Sequence, residues 1–169
     1  MTTNKKNPNI HTISVLVANK PGVLVRCALV FARRGINIDA LVVSPSVDPR
    51  FSRMTITAKG DLQTLEQIIK QSAKLIDVIH VSEHTGKDSI DREFALFKID
   101  CPKAKRAAIL KALKSAKAKI LDETQSEIIL SKDGTTDELD RFEEVLKKFR
   151  IIEMVRSGKL AMAKGKQET

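Results

Sequence analysis

Apolar and polar residues alternate along Thr12-Ile13-Ser14-Val15-Leu16-Val17, the period-two signature of a half-buried strand over residues 12–18. At Asn19-Lys20-Pro21-Gly22 the alternation stops. From Gly22 to Arg34, Val23, Leu24, Cys27, Val30 and Phe31 recur on one helical stripe, and Gly35 supplies a C-terminal stop. Residues 36–47 are rich in β-branched side chains, with Pro45, Asp48 and Pro49 marking the turn. Phe51 to Lys59 alternates again, Met54, Ile56 and Ala58 against Arg53, Thr55 and Thr57. Asp61 then reads as the N-cap of a helix to about Lys74, with Thr64 where a capping-box Glu would sit. Leu62, Leu65, Ile68, Ile69 and Ala73 form its apolar face, and a strand at 76–81 closes a β-α-β-β-α-β series.

After His84-Thr85-Gly86-Lys87-Asp88-Ser89, read as a hinge, the order repeats. Glu93 to Ile99 is a strand, and Pro102 opens a helix whose apolar face is assigned to Ala104, Ala108, Leu110, Ala112 and Leu113. Residues 120–124 and 127–131 form a strand pair. Thr136 or Asp137 caps a helix to Phe149, and 151–155 is the last strand. The closing strands carry a faint trace of repetition, Lys74-Leu75-Ile76-Asp77-Val78-Ile79 against Arg150-Ile151-Ile152-Glu153-Met154-Val155. The expected fold is α+β, with two ferredoxin-like βαββαβ domains in tandem over residues 11–85 and 86–158. A disordered segment, 1–10, precedes them and a flexible tail, 159–169, follows.

Composition narrows the function classes. With 42% apolar residues the chain should fold, and no apolar run approaches the roughly 20 residues of a membrane helix. MTTNKKNPN has no apolar core and does not read as a secretory signal, so a cytoplasmic protein is expected. Cys27 and Cys101 sit in unlike settings; reduced buried thiols are expected, with a disulfide or metal site as the alternative. The net charge of +9 raises nucleic acid as a partner. It is spread, however, with 11 basic against 6 acidic residues in 1–86 and 19 against 15 in 87–169. The RNA-recognition fold shares this element order but needs paired stacking aromatics on its third strand. Here that strand reads Phe51-Ser52-Arg53-Met54-Thr55-Ile56-Thr57, with no aromatic after Phe51. Neither nucleic acid nor membrane is the expected partner. The helix KAKRAAILKALKSAKAK is a solvated basic face or, alternatively, a surface for an acidic partner.

Catalytic chemistry leaves no mark. His11, His80 and His84 are scattered, and the His80/His84 spacing falls on a strand rather than a metal-binding helix. Neither cysteine has a CxxC partner, and the glycines form no GxGxxG or phosphate loop. Asp137, Glu138, Asp140, Glu143 and Glu144 have the spacing of a solvated helix face. No catalytic or metal-ligating residue is assigned.

The turn 19–22 is different. A helix beginning at Pro21 or Gly22 presents unpaired N–H groups and the positive end of its dipole, which suit a carboxylate. Gly22 permits close approach, and Pro21 fixes the backbone without needing a donor. Asn19, and Asn37 beyond the helix, offer an oxygen to an ammonium group or an amide to a carboxylate. Leu24, Ile36 and Ile38 suit an aliphatic side chain. N-x-P-G is also an ordinary strand-to-helix turn, and the residues alone leave both readings open.

ISVLVANKPGVLVR, FARRGINIDALVVSP, DPRFSRMTI and LEQIIKQSAKLIDVIHVSE resemble the ACT domain of acetolactate (acetohydroxyacid) synthase regulatory small subunits. The likeness continues through DREFALFKI and returns at VRSGKLAMAKG, covering about residues 11–165. It implies a non-catalytic subunit that activates a catalytic large subunit and confers feedback inhibition by valine or another branched-chain amino acid. Thiamine diphosphate, magnesium and FAD would belong to that partner, with no cofactor in this chain. It also implies a homodimer of ACT domains with the effector at their interface. One protomer would supply Asn19, Pro21, Gly22, Val23 and Leu24, and its partner Asn37 and Ile38. Val25, Leu29 and Ala40 depart from residues common in the family (a small hydroxyl residue, a glycine and a serine), which bears on effector identity. A stand-alone ACT amino-acid sensor with another client, or a basic nucleic-acid-binding module, are the alternatives.

Overall fold

The computed structural model describes residues 10–84, 88–165 and 169. Strand β1 (Ile10–Ala18) buries Ile13, Val15 and Val17 and pairs antiparallel with β3 (Phe51–Lys59) and β4 (Val78–Glu83). Strand β2 (Ile38–Pro45) joins outside β3, giving the order β2-β3-β1-β4 with β2 and β4 at the edges. The alternation in β3 places Met54, Ile56 and Ala58 in one core with Val23, Cys27, Val30 and Phe31 of α1 (Val23–Ala32) and Leu65 and Ile68 of α2 (Leu62–Ser72). Gly35, at φ 67°, lets the Ile36 N–H return to the Phe31 carbonyl at 3.1 Å, which ends the first helix.

Asp61 caps α2 as expected, accepting the Thr64 N–H at 2.8 Å and the Thr64 hydroxyl at 2.6 Å. These bonds hold its carboxyl below the usual range. Ser72, rather than Ala73, takes the last buried position of this helix. Strand β4 starts at Val78, two residues late, because the Val78 N–H closes a turn onto the Leu75 carbonyl and leaves Ile76 in solvent.

The second unit repeats the plan with the greater part of β5 (Ser89–Asp100), α3 (Arg106–Ser115), β6 (Lys119–Glu123), β7 (Glu127–Gly134), α4 (Thr136–Leu146) and β8 (Ile151–Arg156), in sheet order β6-β7-β5-β8. Its core joins Phe97, Ile99, Ile128 and Leu130 to Ile109, Leu113, Leu139, Phe142 and Leu146. Phe97 and Phe142 meet edge to face, centroids 5.5 Å apart. The Pro102 helix begins with a 3₁₀ turn at 103–105, and its buried face is Ile109 and Leu113; Ala104, Ala108 and Leu110 are exposed, correcting the expected face.

The cap of α4 is Thr135, not Thr136 or Asp137. Its hydroxyl accepts the Glu138 N–H while Glu138 Oε2 accepts the Thr135 N–H at 2.8 Å, a reciprocal box that also keeps the Glu138 carboxyl low. Thr135→Ala is expected to cost about 1 kcal/mol, and Thr135→Ser little, read as shifts in the urea midpoint.

Compact packing divides the chain into a unit reaching Asp91 that includes the residues from Lys159, and a unit spanning Arg92–Gly158. The flexible tail expected from Lys159 is corrected by β9 (Leu160–Ala163), which pairs with β5, buries Ala161 and continues into a Lys164 N–H bond to the Asp88 carbonyl at 2.7 Å. Residues 1–9 of the expected disordered segment, and 85–87 of the expected hinge, lie outside the described residues.

Candidate functional site

The strand-to-helix loop after β1 is built by three sets of contacts. The Asn19 N–H donates to the Arg50 carbonyl at 2.7 Å and Asn19 Nδ2 to the Pro49 carbonyl at 3.0 Å. The turn before β3 thus holds Asn19 from both its backbone and its side chain, leaving Oδ1 as its open acceptor. That turn is itself fixed, since Arg50 forks onto the Asp48 carboxylate and lies 5.6 Å over the Phe51 ring. The Arg50 guanidinium holds the Asp48 carboxyl below the usual range.

Gly22 precedes α1 at φ 82°, a conformation L side chains rarely adopt, and no side chain caps the helix. The first helical bond runs from the Arg26 N–H to the Gly22 carbonyl at 3.1 Å. Among the described residues the Leu24 and Val25 N–H groups have no acceptor, so the helix opens onto solvent with donors to spare.

Asn19, Pro21, Gly22 and Leu24 are exposed around this opening, Leu24 at 42%. Val23 is not: at 3% exposure its side chain belongs to the core, leaving only its backbone for a ligand. Asn37 is exposed past the other end of α1, its amide donating to Asp39 Oδ1 at 3.3 Å, and half-buried Ile38 opens edge strand β2. Ten helical residues separate the groups, about 15 Å at 1.5 Å per residue. One chain brings together the first group and holds the second apart.

The outer face of α1 is apolar as well as the inner. Val25 and Leu29 are 60% and 44% exposed, and Arg26 is the helix's one charged residue. A helix apolar all round normally has a partner on both sides. Arg26 was not singled out by sequence; it reaches Asp77 Oδ2 at 2.5 Å, 51 positions away.

The other candidate groups stay apart. His11 Nδ1 and Glu83 Oε1 lie 2.5 Å apart at the sheet margin, while Ser82 and His84 bond to each other at 2.9 Å. Burial, with the nearby charge of Arg53, lowers the His84 pKa; burial raises that of the Cys27 thiol. Both cysteines are free and buried. Among the described residues no three His, Cys, Asp or Glu side chains gather as a metal site, and no helix is long and apolar enough to cross a membrane.

Residues 13–80 match the model of the AHAS small subunit-like ACT domain, and 92–165 that of the small subunit of acetolactate synthase. The chain is 41% identical to the probable acetolactate synthase small subunit of Archaeoglobus fulgidus, over 94% of this chain and 99% of that one. The chain belongs to the acetolactate synthase small-subunit family. It is also 37% identical to the acetolactate synthase small subunit of Mycobacterium bovis, over 94% and 95% of the two chains. The crystal structure of the acetolactate synthase small subunit from Thermotoga maritima superposes with a TM-score of 0.84 at 34% identity, covering 94% of this chain and 99% of that one. The first unit is accordingly an ACT domain, and the small-subunit likeness extends through both ferredoxin-like units, with β9 within the matched span.

Proposed function

We propose that this chain is a non-catalytic regulatory subunit that binds and activates a catalytic acetolactate synthase subunit and carries its feedback response to a branched-chain amino acid, with valine the first candidate. The observation that carries the reading is family membership across both units, joined to a loop with the right chemistry for an amino acid. Asn19 Oδ1 suits the ammonium group, the uncapped start of α1 suits the carboxylate, and exposed Leu24 suits an aliphatic side chain.

The site is shared between two chains. Asn37 and Ile38 lie about 15 Å from Asn19 and Gly22 along α1, too far for one small ligand to touch both ends within a protomer. A second copy packed against the apolar outer face of α1 and the free edge of β2 supplies the missing half. Chemistry resides in the catalytic partner with its thiamine diphosphate, magnesium and FAD, and this chain contributes binding energy alone. The effector acts by favouring one state of the assembly, with a coupling of about 1–3 kcal/mol.

The test mixes the purified chain with the catalytic subunit from the same organism and assays acetolactate with and without valine. Co-elution, stimulation and valine-dependent loss of the stimulation are expected; no co-elution and no stimulation would refute the reading. Pairing is checked separately by sedimentation. Leu29→Glu puts a charge into the proposed contact and is expected to weaken self-association at least about tenfold. An unchanged dimer would place the interface elsewhere.

A further inference from the structure

Nine of the ten residues of α1 are apolar, and the tenth, Arg26, is anchored beside the loop just described. Its Nη2 donates to Asp77 Oδ2 at 2.5 Å. Asp77 is itself fixed at the root of the loop, because its carbonyl accepts the Ala18 N–H at 2.8 Å. The pair is asymmetric: the Asp77 side chain is 14% exposed and that of Arg26 45%. The carboxylate lies on the protein side and the guanidinium faces water. A Cβ built on Gly22 would stand 3.0 Å from Arg26 Nη1, so the free edge of the guanidinium lies over the Gly22 backbone.

We propose that Arg26, held by Asp77, receives the carboxylate of the amino acid at the Asn19–Gly22 loop, and so restricts that site to ligands with a free α-carboxylate. The inference rests on the amino-acid reading of the loop. Arginine presents its donors in a rigid fork, and a charge-assisted bond to a carboxylate is among the stronger polar contacts available. Asp77 occupies one terminal nitrogen and sets the plane of the group, which leaves Nη1 for the ligand without further ordering. It also balances the charge while the site is empty. The other nearby cations serve less well, because Arg50 is committed to Asp48 and Lys20 is an exposed, flexible stem. Gly22 then has a second reason to lack a side chain: a Cβ would stand where the ligand's carboxylate must approach Nη1.

Calorimetric titration of the full chain with valine, valinamide and isobutylamine tests the assignment, since the second ligand replaces the carboxylate by a neutral amide and the third lacks it. The unaltered chain is expected to prefer valine over valinamide at least about tenfold. Arg26→Met is expected to lower valine affinity by a similar factor and bring the two affinities together. Arg26→Lys should keep part of the preference. Asp77→Asn should weaken valine several-fold while retaining the preference, because the guanidinium remains but is less well held. An Arg26→Met protein that keeps the full preference, even with both affinities reduced, would show a merely structural arginine and overturn the proposal while sparing the amino-acid reading. Failure of the unaltered chain, dimeric and folded, to bind any of the three would overturn both. A thermal melt of each variant identifies any that has lost its fold, in which case the Arg26→Lys result decides.

Discussion

On the amino-acid reading of the loop, Gly22→Asp is expected to abolish the thermal stabilisation that valine should confer on the unaltered chain. At 100 times its dissociation constant the ligand contributes about 2.7 kcal/mol, and the substitution removes it by placing a tethered carboxylate where the ligand's own should lie. The new Cβ stands 3.0 Å from Arg26 Nη1, so the introduced carboxylate is expected to occupy the free edge of the guanidinium that the ligand would otherwise use. The backbone pays separately, because an L residue at φ 82° costs about 1–2 kcal/mol. Gly22→Ala carries the same backbone strain and the same obstructing Cβ without the charge, so it is expected to weaken the valine response but less completely than the Asp variant does. Differential scanning fluorimetry of the three proteins separates the terms, and an Asp variant with a full valine shift would move the site elsewhere.

Removal of Glu93 is expected to be strongly destabilising. Its side chain is 5% exposed and fully engaged: Oε2 accepts from Arg156 Nε at 3.1 Å and Nη2 at 2.5 Å, and Oε1 accepts the Thr136 hydroxyl at 2.6 Å. Arg156 also donates to Asp140 at 2.6 Å, so this one carboxylate ties β5 and β8 to α4. Breaking such a pair from one side typically costs about 3–5 kcal/mol, because the remaining charge is left without compensation. The low end applies here, since Arg156 is 22% exposed and retains Asp140. Glu93→Ala should therefore lower the urea midpoint steeply, Glu93→Gln less, and Glu93→Leu with Arg156→Met should recover much of the loss. Equal losses in the single and double variants would show that the pair is not the source.

Much of this architecture was legible because alternation and turns agreed. Strand β3 runs from Phe51 to Lys59 as read, since Met54, Ile56 and Ala58 alternate strictly and Gly60 follows. The misreadings share a cause, a weak local contrast. In α3 alanines recur on every side, so Ala104, Ala108 and Leu110 mimic an apolar face that Ile109 and Leu113 actually form. Thr135 and Thr136 are equal caps by type; Glu138 three residues after Thr135 was the signal that distinguishes them. Strand β9 is four residues long, too short for periodicity to declare itself without its partner. At the loop, Asn19 and Gly22 were visible because strand, turn and helix meet there. Arg26 was not, because its meaning depends on Asp77 and only folding brings the two together.

The length of α1 has a consequence beyond geometry. On the two-chain reading no lone protomer closes a site, so every occupied site is also a count of protomers. Dilution then lowers the apparent affinity for the amino acid, and the amino acid tightens pairing by the same factor. The dose response becomes a property of subunit abundance as much as of metabolite level. A cell could retune its sensitivity through expression alone, with no change in any residue that touches the ligand.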